Sequence, residues 1–225
     1  MKYRRILAIG DIHGKFTRLL SLIHKIDFDE RKDLLILLGD YIDRGDENMR
    51  CLRWAMEMSE KPNVVALRGN HEQMMLYYYL YGGTESYIWL PNGGDKTKAE
   101  FEQWRQRDST AFQRALSFID ERPFYYWLDV DGEEYIFVHA GLEPRKSLEE
   151  QDEESLLWIR EKFYNGYKGS AHVVCGHTPT PFIKHNWYYP IRLPNKITLM
   201  DTGSFMKDGK ISCIDILSDR IWQSD

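Results

Sequence analysis

Seven residues able to bind a metal or move a proton stand just beyond short apolar runs: Asp11, His13, Asp40, Asn70, His71, His139 and His177. Singly, each has an ordinary explanation, because an Asp after a strand commonly caps a loop and a His is commonly a surface or core residue. Repeated at five strand ends, they describe one centre. Imidazole and carboxylate without thiolate suit Mn, Fe or Zn. Asp11 and His13 are two residues apart, so in extended chain they point the same way. Asp11, His13, Asp40, Asn70, His139 and His177 are too many ligands for one catalytic zinc and fit two metals ~3.5–4 Å apart that share a bridging carboxylate. A glycine precedes Asp11, Asp40, Asn70 and His177, which lets backbone approach a crowded centre. Two arginines accompany the set. The planar guanidinium fork suits phosphate, and Arg44, four residues after Asp40, reads as a phosphate ligand. For Arg160 a surface salt bridge fits the bare sequence equally well.

The elements that must position these residues are short. Residues 6–9, 34–38, 64–67, 135–138 and 173–175 are apolar runs of strand length, too short to complete an amphipathic helical face. Helical spacing of apolar residues over 16–26 and 48–58 places helices between the early runs, so the N-terminal part reads as βαβ units with a parallel sheet. In open α/β sheets ligands bind beyond the carboxyl ends of the strands, where the seven residues lie. Residues 73–120 break the pattern. They are rich in Tyr, Trp, Gln and Arg and read as a helical insert beside the sheet, a cap over the site. Residues 197–200 and 211–217 read as strands, with 207–210 as a hairpin turn and antiparallel pairing.

Composition agrees with one globular domain over residues 1–225. The chain has a mass of 26.8 kDa, with 43% hydrophobic and 29% charged residues, which excludes disorder, collagen-like repeats and coiled coil as the main state. Thirty basic against 35 acidic residues give a net charge of −5, with no basic excess to point to nucleic acid. Three scattered cysteines form no C-x-x-C pair and no disulfide framework, which fits a reducing cytoplasm. No apolar run reaches the ~18 residues of a membrane span.

The motifs Gly10-Asp11-Ile12-His13-Gly14, Gly39-Asp40-Tyr41-Ile42-Asp43-Arg44-Gly45 and Arg68-Gly69-Asn70-His71-Glu72, followed by His139-Ala140-Gly141 and Gly176-His177-Thr178-Pro179, resemble the signature blocks of the calcineurin-like metallophosphoesterases, in family order. Within that family they are most similar to the PPP-type serine/threonine protein phosphatases of the short bacterial and phage branch, which the Met200-Asp201-Thr202-Gly203 segment also resembles. The resemblance implies an α/β fold of two sheets forming a β sandwich flanked by helices. It implies a hydrolase with two divalent cations, most simply Mn2+, with Fe, Zn or Ni also compatible. Asp11, His13 and Asp40 would hold one metal, with His177 completing that site, and Asp40 would bridge to Asn70 and His139 at the other. The two late histidines divide either way. Attack on phosphorus would be in line, by hydroxide held between the two metals. His71 would be the general acid with Asp43 holding its imidazole, against a second reading in which His71 only orients Asn70. Arg44 and Arg160 would bind phosphate, and Asn92, in an Asn-Gly-Gly turn, would touch substrate. Glu72 reads as a first-turn helix residue, and Asp201 as a brace near the metals.

The expected activity is a phosphomonoesterase acting on phosphoserine or phosphothreonine in proteins, or on a small phosphoester, by a cytoplasmic monomer without nucleic-acid or membrane partners. The symmetrical diadenosine tetraphosphate hydrolases share several motifs and are the alternative. That activity needs stacking aromatics, for which Tyr87, Trp89 and Trp104 are available. A catalytically dead phosphopeptide reader is the third reading, and the complete ligand set argues against it.

Overall fold

The computed structural model describes residues 2–82 and 86–225. Two five-stranded sheets pack face to face. In the first, β1 (Arg5–Ile9), β2 (Asp33–Leu37) and β3 (Val64–Ala66) run parallel, while β9 (Ser212–Asp215) pairs antiparallel with β1 and β10 (Ile221–Gln223) antiparallel with β9. The second sheet has the order β4 (Tyr125–Val130), β5 (Glu133–Val138), β6 (His172–Cys175), β8 (Ile197–Leu199), β7 (Ile191–Arg192); β5, β6 and β8 are parallel.

The continuous apolar runs follow from burial on both faces. In β1, Ile6 and Ala8 face the second sheet, where they meet Phe137 and Val174, alongside Ile214 of the neighbouring β9. Leu7 and Ile9 point outward into a core shared with α1 (Phe16–Ile26) and α2 (Asn48–Ser59). The insert contains α3 (Asn70–Leu76), a π-helical turn (Tyr77–Tyr81), α4 (Ser86–Trp89), a 3-10 turn (Leu90–Asn92), α5 (Gly94–Arg107) and α6 (Ser109–Asp120). Phe101, Trp104, Phe112 and Leu116 of the insert join the same core, so it is built into the body of the protein. On the far side, Leu156 of α7 (Glu153–Trp158) and Phe163 of α8 (Glu161–Gly166) cover the second sheet.

The expected hairpin at 207–210 is not there. β8 lies in the second sheet and β9 in the first, so residues 200–211 cross from one sheet to the other. Arg18 holds this crossing by donating to the carbonyl oxygens of Ser204 (2.7 Å) and Gly209 (2.8 Å). A true hairpin joins β4 and β5 at Asp131-Gly132, where both residues have positive φ (53° and 88°) as a type I′ turn requires.

Asp33 opens β2 beneath this framework. Arg4 donates to it at 3.0 Å through two nitrogens, Arg5 is also bound, and the Asp29 N–H reaches it at 3.0 Å. Burial pushes its carboxyl up, but the Arg5 and Arg4 hydrogen bonds outweigh this and hold its pKa down to about 2. A depressed carboxylate pKa contributes stability above the unfolded value of 3.8, lost as pH falls through about 2. Asp33→Asn is therefore expected to lower Tm at pH 7 by on the order of 5 °C, with a smaller deficit at pH 3, as thermal melts at the two pH values will show.

Candidate active site

Every parallel strand delivers a polar residue at its carboxyl end: Asp11 after β1, Asp40 after β2, Asn70 after β3, His139 after β5, His177 after β6 and Asp201 after β8. All six are buried, as are His13, Asp43 and His71. The close approach requires glycine at two places. A Cβ on Gly176 would collide with Asp11, and one on Gly69 with Asp40. His13, Asp40, Asp43, Arg44 and His177 all adopt positive φ (48–74°), a conformation costing a non-glycine residue roughly 1–2 kcal/mol. Such strain collects where the surroundings over-determine the backbone.

Asp40 is the divider. Its Oδ2 lies 3.6 Å from His13 Nε2, which is in turn 3.9 Å from Asp11 Oδ2. Its Oδ1 lies 3.5 Å from His139 Nε2. Asn70 Oδ1 is 2.8 Å from His139 Nε2 and 3.0 Å from His177 Nδ1. His177 thus groups with Asn70 and His139, not with Asp11 and His13. Only its backbone N–H serves the first group, donating to both oxygens of Asp11 at 3.1 Å.

The second ring nitrogens fix which lone pairs face inward. His13 Nδ1 contacts Ile42 O at 3.1 Å and His139 Nδ1 contacts Leu38 O at 2.8 Å, so in both rings Nδ1–H donates and Nε2 presents its lone pair to the centre. Burial holds the imidazoles of His13, His139 and His177 neutral, that of His139 down to about 3. Burial also drives the carboxyls of Asp11 and Asp40 well above their usual range, reinforced at Asp11 by Asp201 and at Asp40 by Glu72. The Oδ2 of Asp201 is buried without a hydrogen-bond partner among the described residues. Inward-facing lone pairs and carboxylates with few donors among them are the donor set of two divalent cations, one on each side of Asp40. The residues fit that group.

The remaining expected residues surround this core. His71 Nδ1 lies 2.6 Å from Asp43 Oδ2, and its Nε2 faces Asp40 Oδ2 at 3.9 Å. Burial lowers the His71 pKa, and the Asp43 hydrogen bond opposes that. Arg44 donates to His13 Nε2 at 2.8 Å and stacks on Phe205, 4.4 Å from the ring centroid. Arg160 donates to His177 O (3.0 Å) and Thr178 Oγ1 (3.2 Å) and makes no ion pair among the described residues. Asn92 is exposed and donates to Ile88 O at 2.8 Å, capping its turn. Its neighbour Gly93 makes the contact with the site, accepting from the Arg44 N–H at 3.1 Å.

Two side chains do more than their sequence context suggested. Glu72, at the third position of α3, accepts from the N–H groups of Gly69 (3.0 Å), Asp40 (2.8 Å) and Tyr41 (2.8 Å). It thereby fixes the loop carrying Asp40 to the helix carrying Asn70, and burial raises its pKa to about 7 against those donors. Phe205, in the crossing segment, stands edge-on to His13 at 5.2 Å, and nothing local in the sequence marks it. Trp89 is fully buried and Trp104 nearly so, whereas Tyr87 is 80% exposed.

A family model described as calcineurin-like phosphoesterase matches residues 4–212. A serine/threonine-protein phosphatase 1 of Salmonella typhimurium is 33% identical over 187 residues, spanning 79% of this chain and 80% of its own. A symmetrical bis(5'-nucleosyl)-tetraphosphatase of Methylobacillus flagellatus is 35% identical over 143 residues, spanning 64% of this chain and 45% of its own. The solved structure of a protein serine/threonine phosphatase from Saccharomyces cerevisiae shares the fold, with a TM-score of 0.63 at 15% identity over 100% of this chain and 81% of its own.

Cations that bind only the folded site stabilise it by mass action, by about 2.7 kcal/mol at a hundredfold excess over Kd. Mn2+ added to chelator-stripped protein is therefore expected to raise Tm by on the order of 5–10 °C, and Asp40→Asn to abolish most of the shift. No shift, or an equal shift in the variant, would contradict the assignment.

Proposed function

The chain belongs to the calcineurin-like phosphoesterase family, and we propose that within it the protein is a metal-dependent phosphomonoesterase that hydrolyses phosphoserine and phosphothreonine in proteins. The observation that carries this reading is the His71–Asp43 pair: Nδ1 is bonded to Asp43 at 2.6 Å and Nε2 is turned to the centre beside Asp40. A proton donor held there matters most when the leaving group is a poor one, such as a serine or threonine alkoxide. It matters little for expelling a nucleoside diphosphate.

Two further facts support the protein substrate. Trp89 and Trp104 are buried, so of the three insert aromatics considered for stacking on a dinucleotide, Tyr87, Trp89 and Trp104, two are closed to it. Moreover, the likeness to the Salmonella phosphatase, at 33% identity, runs through four-fifths of both chains.

Bound at the two ligand groups, divalent cations supply Lewis acidity at the phosphoryl oxygens and acidify a water enough to attack phosphorus at neutral pH. Asp11, His13 and Asp40 would hold one; Asp40, Asn70, His139 and His177 the other. The protein's own groups do the rest. Arg44, oriented by Phe205, neutralises phosphoryl charge, with Arg160 completing the cationic rim from beside His177. His71 gives the Nε2 proton to the departing alkoxide while Asp43 keeps Nδ1 protonated. Attack is in line, and no side chain need become phosphorylated. The proposed resident cation is Mn2+, and the buried, unpaired Cys51, Cys175 and Cys213 suit a reducing cytoplasm.

Metal-stripped protein reconstituted with Mn2+ should turn over a phosphoserine peptide much faster than diadenosine tetraphosphate. The reverse order, with ADP released, would transfer the protein to the dinucleotide activity. His71→Asn should cost the phosphoserine peptide ~10²–10⁴-fold in kcat, and nitrophenyl phosphate far less. Equal losses would remove the acid role.

A further inference from the structure

Asp43 carries only half of its carboxylate in use. Its Oδ2 receives both His71 Nδ1–H, at 2.6 Å, and the indole N–H of Trp89, at 2.8 Å, whereas Oδ1 is buried without a partner among the described residues. With His71 alone as donor, the two oxygens would be equivalent and the carboxylate free to turn. The second donor breaks that equivalence.

We propose that Trp89 is a positioning residue for the His71–Asp43 pair, and that through it the helical insert is part of the catalytic apparatus. This rests on His71 acting as proton donor.

Trp89 is well suited to hold a fixed angle. It is fully buried in α4, with Tyr78 and Tyr79 packed on its ring at centroid distances of 5.1 and 5.9 Å. The indole approaches this closely because residue 94 is glycine, where a Cβ would stand 2.5 Å from Nε1. The same stretch grips the backbone that presents the carboxylate. Asp43 N–H donates to Thr97 Oγ1 at 3.1 Å, and Arg44 N–H to Gly93 O at 3.1 Å. Those are the two successive residues at positive φ, 74° and 66°, so insert contacts hold an otherwise unfavoured turn. A buried indole N–H needs some acceptor in any case. Were that need its whole meaning, removing the N–H would cost stability without selecting between leaving groups.

Trp89→Phe keeps the ring and deletes the donor. On the Mn2+ enzyme it should lower kcat for a phosphoserine peptide about tenfold, a fraction of the ~10²–10⁴ that general acid catalysis supplies. KM should hold, and nitrophenyl phosphate turnover should stay within about twofold. In an Asp43→Asn background the substitution should produce no further leaving-group-specific loss. Losses equal on the two substrates, or fully additive with Asp43→Asn, would overturn the proposal. If His71→Asn itself shows no leaving-group asymmetry, the acid reading fails; if His71→Asn shows it and Trp89→Phe does not, only the role of Trp89 fails. Should Trp89→Phe not fold, the 15N-labelled indole N–H of Trp89 in the otherwise native chain decides. Its resonance should move upfield on Asp43→Asn, and an unmoved resonance would overturn the proposal.

Discussion

Asp11, Asp40 and Asp201 are carboxylates buried in one pocket with three imidazoles that burial keeps neutral. Unpaired carboxylates out of water cost far more than a marginally stable domain can spare. The fold tolerates them only because protonation or bound cations relieve the charge. Much of the local structure answers to this constraint. Glycines at 69 and 176 let the carboxylates of Asp40 and Asp11 sit against backbone, and the His177 N–H and the His71 N–H (3.1 Å from Asp40 Oδ1) are turned toward them. The positive φ values at His13, Asp40 and His177 are the backbone's share of the cost.

The sandwich meets the constraint by addition. Parallel strands from both sheets end at one edge, and neither sheet alone carries the set: Asp11, Asp40 and Asn70 come from the first, His139, His177 and Asp201 from the second. The inter-sheet core of Ile6, Ala8, Phe137 and Val174 therefore sets the register between the two halves of the centre. Glu72 ties β2 to α3 within the first half, and Arg18 ties down the segment that returns from the second sheet to the first.

The candidate ligand set is legible in the sequence because each member follows a short apolar run and sits in a compact motif. Strand ends and motifs are local, and local patterns survive in one dimension. What the sequence hid is long-range. The hairpin expected at 207–210 gives way to a sheet crossing, because a glycine turn between two apolar runs looks alike whether the runs pair or belong to different sheets. Tyr125–Val130 is hard to read as a strand because it is only partly buried and its largely aromatic run over 124–128 adjoins the aromatic-rich insert, although Asp131-Gly132 marks its turn. The sequence reads the aromatics of the insert as packing first and leaves Trp89 available for stacking, and packing is what the structure shows. The partner of the Trp89 indole N–H, Asp43, is 46 residues away, and no spacing rule connects them. Phe205 meets Arg44 and His13 for the same reason, by a sheet crossing with no local sign.

The central claim is a centre of two cations divided by Asp40. Crystals of the protein grown with Mn2+, and diffraction data collected at the manganese absorption edge, test it most directly. The account predicts two anomalous peaks about 3.5–4 Å apart, one flanked by Asp11 and His13, the other by Asn70, His139 and His177, with Asp40 touching both. A single peak at full occupancy, or a pair that Asp40 does not bridge, would contradict it.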